Sequence, residues 1–145
     1  MKVFALYQAQ AQRILLTSAL SFGLALSSYS VAHAQVRQDT NDQQVSYITG
    51  GVGQEELGEL RQHAADYNAQ FSFANATDRA YLNNLQIRIL DAQDAPIFED
   101  DDVGPLLYLQ LKPGTYKLLA TSNGVEKELR FTIREGSTFS DVLTW

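Results

Sequence analysis

From Leu85 to Ile133 the apolar residues of this chain fall repeatedly on every second position. Leu85, Ile87 and Ile89 alternate with Gln86 and Arg88, and Tyr116, Leu118 and Ala120 are spaced in the same way around Lys117. Val125, Lys127, Leu129, Phe131 and Ile133 alternate with Glu126, Glu128, Arg130 and Thr132. A period of two puts one set of side chains on one face of an extended chain, so these stretches predict half-buried strands. Turn signals lie between them: Asp91 to Pro96, Gly104-Pro105, Lys112-Pro113-Gly114 and Ser122-Asn123-Gly124. Asn-Gly tolerates the positive φ angles of a two-residue hairpin loop. Residues 116–122 and 125–134 are therefore predicted to pair antiparallel, with Leu118, Ala120, Leu129 and Phe131 inward. The run from Leu106 to Leu111 is apolar at nearly every position, which predicts a strand covered on both faces, one of them by a helix. Phe71 and Phe73 mark one more short strand, and the expected fold is mainly β, a two-layer sandwich.

Ahead of the strands the pattern changes. Leu57, Leu60, Ala64 and Tyr67 follow spacings of three, four and three, and Glu55, Glu56 and Glu59 come early, where the helix dipole favours negative charge. A helix over 54–68 is expected, entered through a glycine-rich loop beginning at Tyr47 and containing Gly50, Gly51 and Gly53. Residues 35–46 are polar and aperiodic, and predict a flexible tail. The first 34 residues read as a cleavable export signal: Lys2 and Arg13, an apolar stretch from Ile14 to Leu26, and Ala32-His33-Ala34 before Gln35. The apolar stretch is too short to span a bilayer, so no transmembrane segment is expected after cleavage. A periplasmic location follows from this reading, with secretion as the alternative.

The residues Tyr81-Leu82, Leu85 to Asp91, Gly104-Pro105, Leu111-Lys112-Pro113-Gly114-Thr115-Tyr116, Ala120, Gly124 and Phe131-Thr132-Ile133 together resemble a carboxypeptidase regulatory-like, or transthyretin-like, domain. The resemblance spans roughly half of the mature chain. The helix with its Thr-Gly-Gly-Val-Gly entry is similar to the amino-terminal part of small exported proteobacterial proteins of uncharacterised role that carry this module. The resemblance implies a Greek-key, prealbumin-like sandwich of seven strands over 69–145, with one N-terminal helix. Such a module usually serves as a spacer, folding aid or binding unit. The transthyretin-like hydrolases of purine catabolism use several histidines and a terminal Tyr-Arg-Gly-Ser, whereas the mature chain has His63 alone and ends Leu143-Thr144-Trp145. Lys-Asn isopeptide chemistry is not expected either, since the first and last strands offer Arg88 and no Asn.

Charge narrows the partners. Without Lys2 and Arg13 the chain carries nine basic against 17 acidic residues, a net charge of −8 that repels a phosphate backbone and rules against general nucleic-acid binding. The absence of cysteine removes disulfides, thiolate metal sites, cysteine nucleophiles and lipidated cysteine. The densest charge is Glu99-Asp100-Asp101-Asp102, read as a solvated acidic loop that could attract a basic protein partner. Its carboxylates also raise weak calcium binding as an alternative, although the separated spacing that wraps a cation is absent. His63 lacks a serine or metal-ligating companion, and no serine lies in a G-x-S-x-G setting. Gly50-Gly51-Val52-Gly53 could hold an anion at a helix start, but Glu55 and Glu56 would repel it. The tyrosines and Trp145 could form a carbohydrate platform, although most fall on faces that must be buried. The resulting expectation is an exported, monomeric, noncatalytic binding or structural module without metal or cofactor, its candidate contact residues Glu99, Asp100, Asp101 and Asp102. A carbohydrate- or cation-binding module and an accessory or weak periplasmic hydrolase are the alternatives.

Overall fold

The computed structural model describes residues 36–145, and the expected signal segment over 1–34 lies outside the described residues. The strands are β1 (Arg37–Thr40), β2 (Ser46–Gly50), β3 (Ala69–Ala74), β4 (Leu85–Leu90), β5 (Pro96–Val103), β6 (Leu106–Gln110), β7 (Gly114–Ser122), β8 (Val125–Ile133) and β9 (Phe139–Thr144). Helix α1 (Gln54–His63) follows β2 and ends in one 3-10 turn, Ala64–Asp66. Two sheets form, one ordered β1-β2-β6-β3-β9 and the other β5-β4-β7-β8. Their strand pairs are antiparallel except β3 with β9, which run parallel. Between the sheets lies the core, in which Phe71, Phe73, Ile87, Leu107, Leu109 and Leu118 are completely buried.

The predicted hairpin is present. Ser122 pairs with Val125 and the register runs without a shift to Gly114 opposite Ile133. Asn123 and Gly124 have φ angles of 48° and 78°, the positive values a two-residue loop requires. Leu118, Ala120 and Phe131 are buried and Leu129 is half-buried against the same core. Strand β6 is sandwiched as its composition implies: Leu107 and Leu109 face the other sheet, while Leu106 and Tyr108 pack with Ile48, Leu57, Leu60 and Tyr67 beneath α1.

Several expectations are corrected. Of the expected tail over 35–46, the described part is not free: β1 pairs with β2 from Arg37–Thr49 to Thr40–Ser46, and Asn41 holds the connecting turn by accepting the Gln43 and Val45 amides. All four β1 residues are exposed, so the strand rests on backbone hydrogen bonds and side-chain anchors rather than on an apolar face. Tyr47 to Gly50 belong to β2 rather than to a loop, because β6 inserts between β2 and β3 and offers Ser46 to Gly50 a full register. The sandwich therefore begins before residue 69, and α1 follows two strands instead of standing at the amino-terminal end of the fold. Residues Glu99 to Asp102 are part of strand β5 and not a loop. Nine strands are found among the described residues, and β1, β2, β5 and β9, which have no predicted counterpart, are exposed or mixed strands that show no clean alternation.

Glycine is required where two chain crossings meet. A Cβ on Gly104 would stand 2.8 Å from the Gly50 Cα, and Gly50 itself has φ 150°. Thr49 Oγ1 fixes this crossing, accepting from the Gly104 amide at 3.0 Å and donating to the Leu106 carbonyl at 2.9 Å.

Candidate functional site

Strand β5 is an edge strand whose register against β4 breaks within the acidic run. Leu85 stands opposite Val103 and Ile87 opposite Asp100, so Asp101 and Asp102 together face the single residue Gln86. This is a β-bulge, which bends the edge and re-aims the side chains on either side of it. Its consequence is that the four carboxylates have separate surroundings.

Asp100 shares the inward side with Ile87, and only 12% of its side chain is exposed. Its Oδ2 accepts from Arg37 Nη2 at 2.7 Å, and its Oδ1 accepts from the Asp102 amide at 2.9 Å. Arg37 Nη2 also donates to the Asp102 carbonyl at 2.8 Å. One guanidinium from β1 thus pins both the inward carboxylate and the backbone of the bulge. Alongside, the Asn41 amide donates to the Ile97 carbonyl at 2.7 Å, and Tyr47 meets Phe98 edge-on at 4.9 Å between ring centres. Burial pushes the Tyr47 hydroxyl pKa up, and the nearby Asp100 carboxylate adds to this against the opposing pull of Arg37.

Glu99 points outward and accepts from Arg88 Nε at 2.9 Å, with both side chains about half exposed. Asp101 and Asp102 are exposed, and neither forms an ion pair with any described residue. Two shallow hollows flank the strand, one of about 320 Å³ lined by Arg88, Glu99, Asp100 and Asp101, the other of about 270 Å³ lined by Asn41, Asp42, Gln43, Pro96, Phe98 and Glu99. The acidic run is thus half neutralised by Arg37 and Arg88, and half presented to solvent. Among the described residues no three carboxylate or histidine groups converge closely enough to hold a metal ion.

The other sequence candidates are dispersed. His63 Nδ1 lies 3.4 Å from Asp66 Oδ2 at the end of α1, and among the described residues no serine side chain hydrogen-bonds to it. The amides of Gly51 and Val52, which could have met an anion, donate to the Glu56 carboxylate at 3.0 and 3.1 Å, so the chain's own side chain occupies that place. Among the aromatics, Tyr116 stacks on Phe131 and donates its hydroxyl to the Lys112 carbonyl, while Trp145 packs on Phe73 and donates to the Val125 carbonyl. Burial raises the hydroxyl pKa of Tyr67, Tyr108 and Tyr116. Among the described tyrosines only Tyr81 is exposed, by about half.

The residues missed in the sequence are Arg37, Asn41 and Tyr47, which complete the β5 edge from a segment read as tail and loop. One signal for β5 itself was available: Ile97-Phe98 before the acidic run and Val103 after it bracket the charges with strand-forming residues. No helix among the described residues is long and apolar enough to cross a membrane. No protein-family model matches the chain, and no curated protein matches it.

Proposed function

We propose that this chain is an exported, noncatalytic contact module, periplasmic or secreted, whose β5 edge receives a basic segment of a partner protein. The supporting observation is the division of labour in the acidic run. Arg37 holds Asp100 and caps the bulge backbone, which leaves the Asp101 and Asp102 carboxylates, rather than unpaired ladder groups, as what the edge offers. Recognition there rests on charge, which steers encounter and sets specificity more than it adds affinity.

The carboxypeptidase regulatory-like resemblance is kept as part of this reading. Strands β3 to β9 are seven in number, three in one sheet and four in the other, and β6 lies beside β3 after the β4–β5 excursion, which supports the Greek-key reading. Strands β1 and β2 then extend that unit on the β6 side and carry Arg37 to the acidic edge.

The test uses a fluorescent lysine- and arginine-rich peptide and the double substitution Asp101→Asn, Asp102→Asn, leaving Asp100 with its structural partner. At low salt the association rate of the variant is expected to fall about three- to tenfold, with a flatter dependence on ionic strength and an unchanged melting temperature. Equal rates for the two proteins at both ionic strengths would overturn the proposal.

A further inference from the structure

The opposite edge of the same sheet is of another kind. Strand β8 pairs with β7 on one side, and among the described residues no strand lies on its other side. It is nine residues long and its register carries no bulge. A two-residue loop makes Ser122 and Val125 a hydrogen-bonded pair, so the odd-numbered residues of β8 bond to β7. The backbone N–H and C=O groups of Glu126, Glu128, Arg130 and Thr132 consequently face the open edge. The same four residues stand on the outer face, opposite Thr121, Leu119, Lys117 and Thr115 of β7.

We infer that β8 pairs with β8 of a second copy, antiparallel about Leu129, joining two four-stranded sheets into one of eight strands. In that register Glu128 stands opposite the second copy's Arg130, and the two-fold axis repeats the pair. Glu126 then meets Thr132, and Leu129 meets its own counterpart. Sliding the register by two residues in either direction sets Glu128 against Glu128 or Arg130 against Arg130, and like charges directly opposite are destabilising. The slide that pairs Glu128 with Glu128 also sets Glu126 against Arg130, so the register about Leu129 is favoured because it keeps two opposite-charge pairs on the outer face of β8 without a like-charge pair.

The side chains this pairing uses are available. Glu128 and Arg130 are 47% and 72% exposed, and their bond at 3.0 Å within one chain joins exposed groups that hold each other weakly. Lys127 is the one β8 charge in an inward register, and its ammonium sits 5.6 Å from the centre of the Trp145 ring instead of blocking the edge. The remaining edges fit a second copy less well: β5 is bulged and acidic, β1 has four residues and β9 six.

The test is sedimentation of protein produced from the full-length chain, over concentrations from low to high micromolar, with a charge-swap set. Wild type is expected to show a reversible monomer–dimer equilibrium. Glu128→Arg and Arg130→Glu should each weaken it about tenfold, and the double exchange should return it to within about threefold of wild type. On wild type alone, amide hydrogen exchange at high protein concentration should slow at Glu126, Glu128, Arg130 and Thr132 and remain unchanged along β5. This second measurement decides the matter even where a charge variant folds poorly. A monomer at every concentration, a dimer indifferent to the single reversals, or protection at another edge would each overturn the inference.

Discussion

At one edge of the four-stranded sheet, β5 sets two aspartates against one residue of β4 and turns a third inward to an arginine; at the other, β8 runs nine residues in regular register with charges of both signs. Both are exposed strands of a single sheet and both are rich in charge, yet they present different things to solvent. A bulge, a run of like charges and an inward-facing carboxylate all oppose pairing by another strand. What β5 offers is negative charge on a backbone already engaged by Arg37. Strand β8 offers an orderly row of backbone donors and acceptors beneath a charge pattern that is complementary to itself. Charge density alone therefore says little about an edge; its sign pattern and backbone regularity decide what can dock there.

The bracing of the two edges differs as well, which gives the largest expected effect. Phe131 of β8 meets Phe71, Phe139 and Tyr116, with ring centres 5.1, 5.1 and 5.6 Å away, whereas Phe98 of β5 meets Tyr47 alone among the described aromatic rings. Phe131→Ala is expected to destabilise by about 4 kcal/mol and Phe98→Ala by about 3 kcal/mol, since both leave a cavity but only the first dissolves an aromatic cluster. Urea unfolding of the two variants checks the order, and a larger loss for Phe98→Ala would break the contrast.

A smaller change should separate the edges cleanly. Arg37→Ala removes the cation that holds Asp100 and the bulge, and a loss of about 1 kcal/mol is expected for a pair only partly shielded from water. Amide exchange should quicken along β1 and near Asp102 while β8 stays as it was. Equal quickening at both edges would mean that the ion pair serves the whole sandwich rather than one side of it.

The smallest effect concerns the turn that leads into β5. The Asp94 carboxyl is held below its ordinary pKa by the hydrogen bond and charge of the Lys117 ammonium. A depressed folded pKa means that the contribution is present above the unfolded value and is lost as pH falls through the folded one. Lys117→Met should move the Asp94 titration, followed by nuclear magnetic resonance, upward toward the ordinary carboxylate range. An unmoved titration would remove Lys117 as the cause.

Much of the interior was legible in the chain itself. The alternation from Val125 to Ile133 and the Asn123-Gly124 loop specify the β7–β8 hairpin and its inward set, because side-chain period and turn conformation are local properties. Leu57, Leu60 and Tyr67 likewise mark the buried side of the α1 region from spacing alone, although the helix proper stops at His63. The predicted β6 could be read as doubly covered because every residue from Leu106 to Leu109 is apolar.

The edges were not legible, and the candidate site lies on one of them. Strand β1 buries no residue, so no hydrophobic pattern announces it, and its anchor is an arginine 63 positions away from the aspartate it holds. Whether Glu99 to Asp102 formed a loop or a bulged strand depended on β4 standing beside them, and the parallel seat of β9 depended on β3. Local sequence sets which side chains must leave water and where the chain can turn. Which strands become neighbours, and so which exposed carboxylates are paired and which remain open, is settled only when the sheets assemble, since the hydrogen bonds and ion pairs of an exposed edge come from residues distant in the chain.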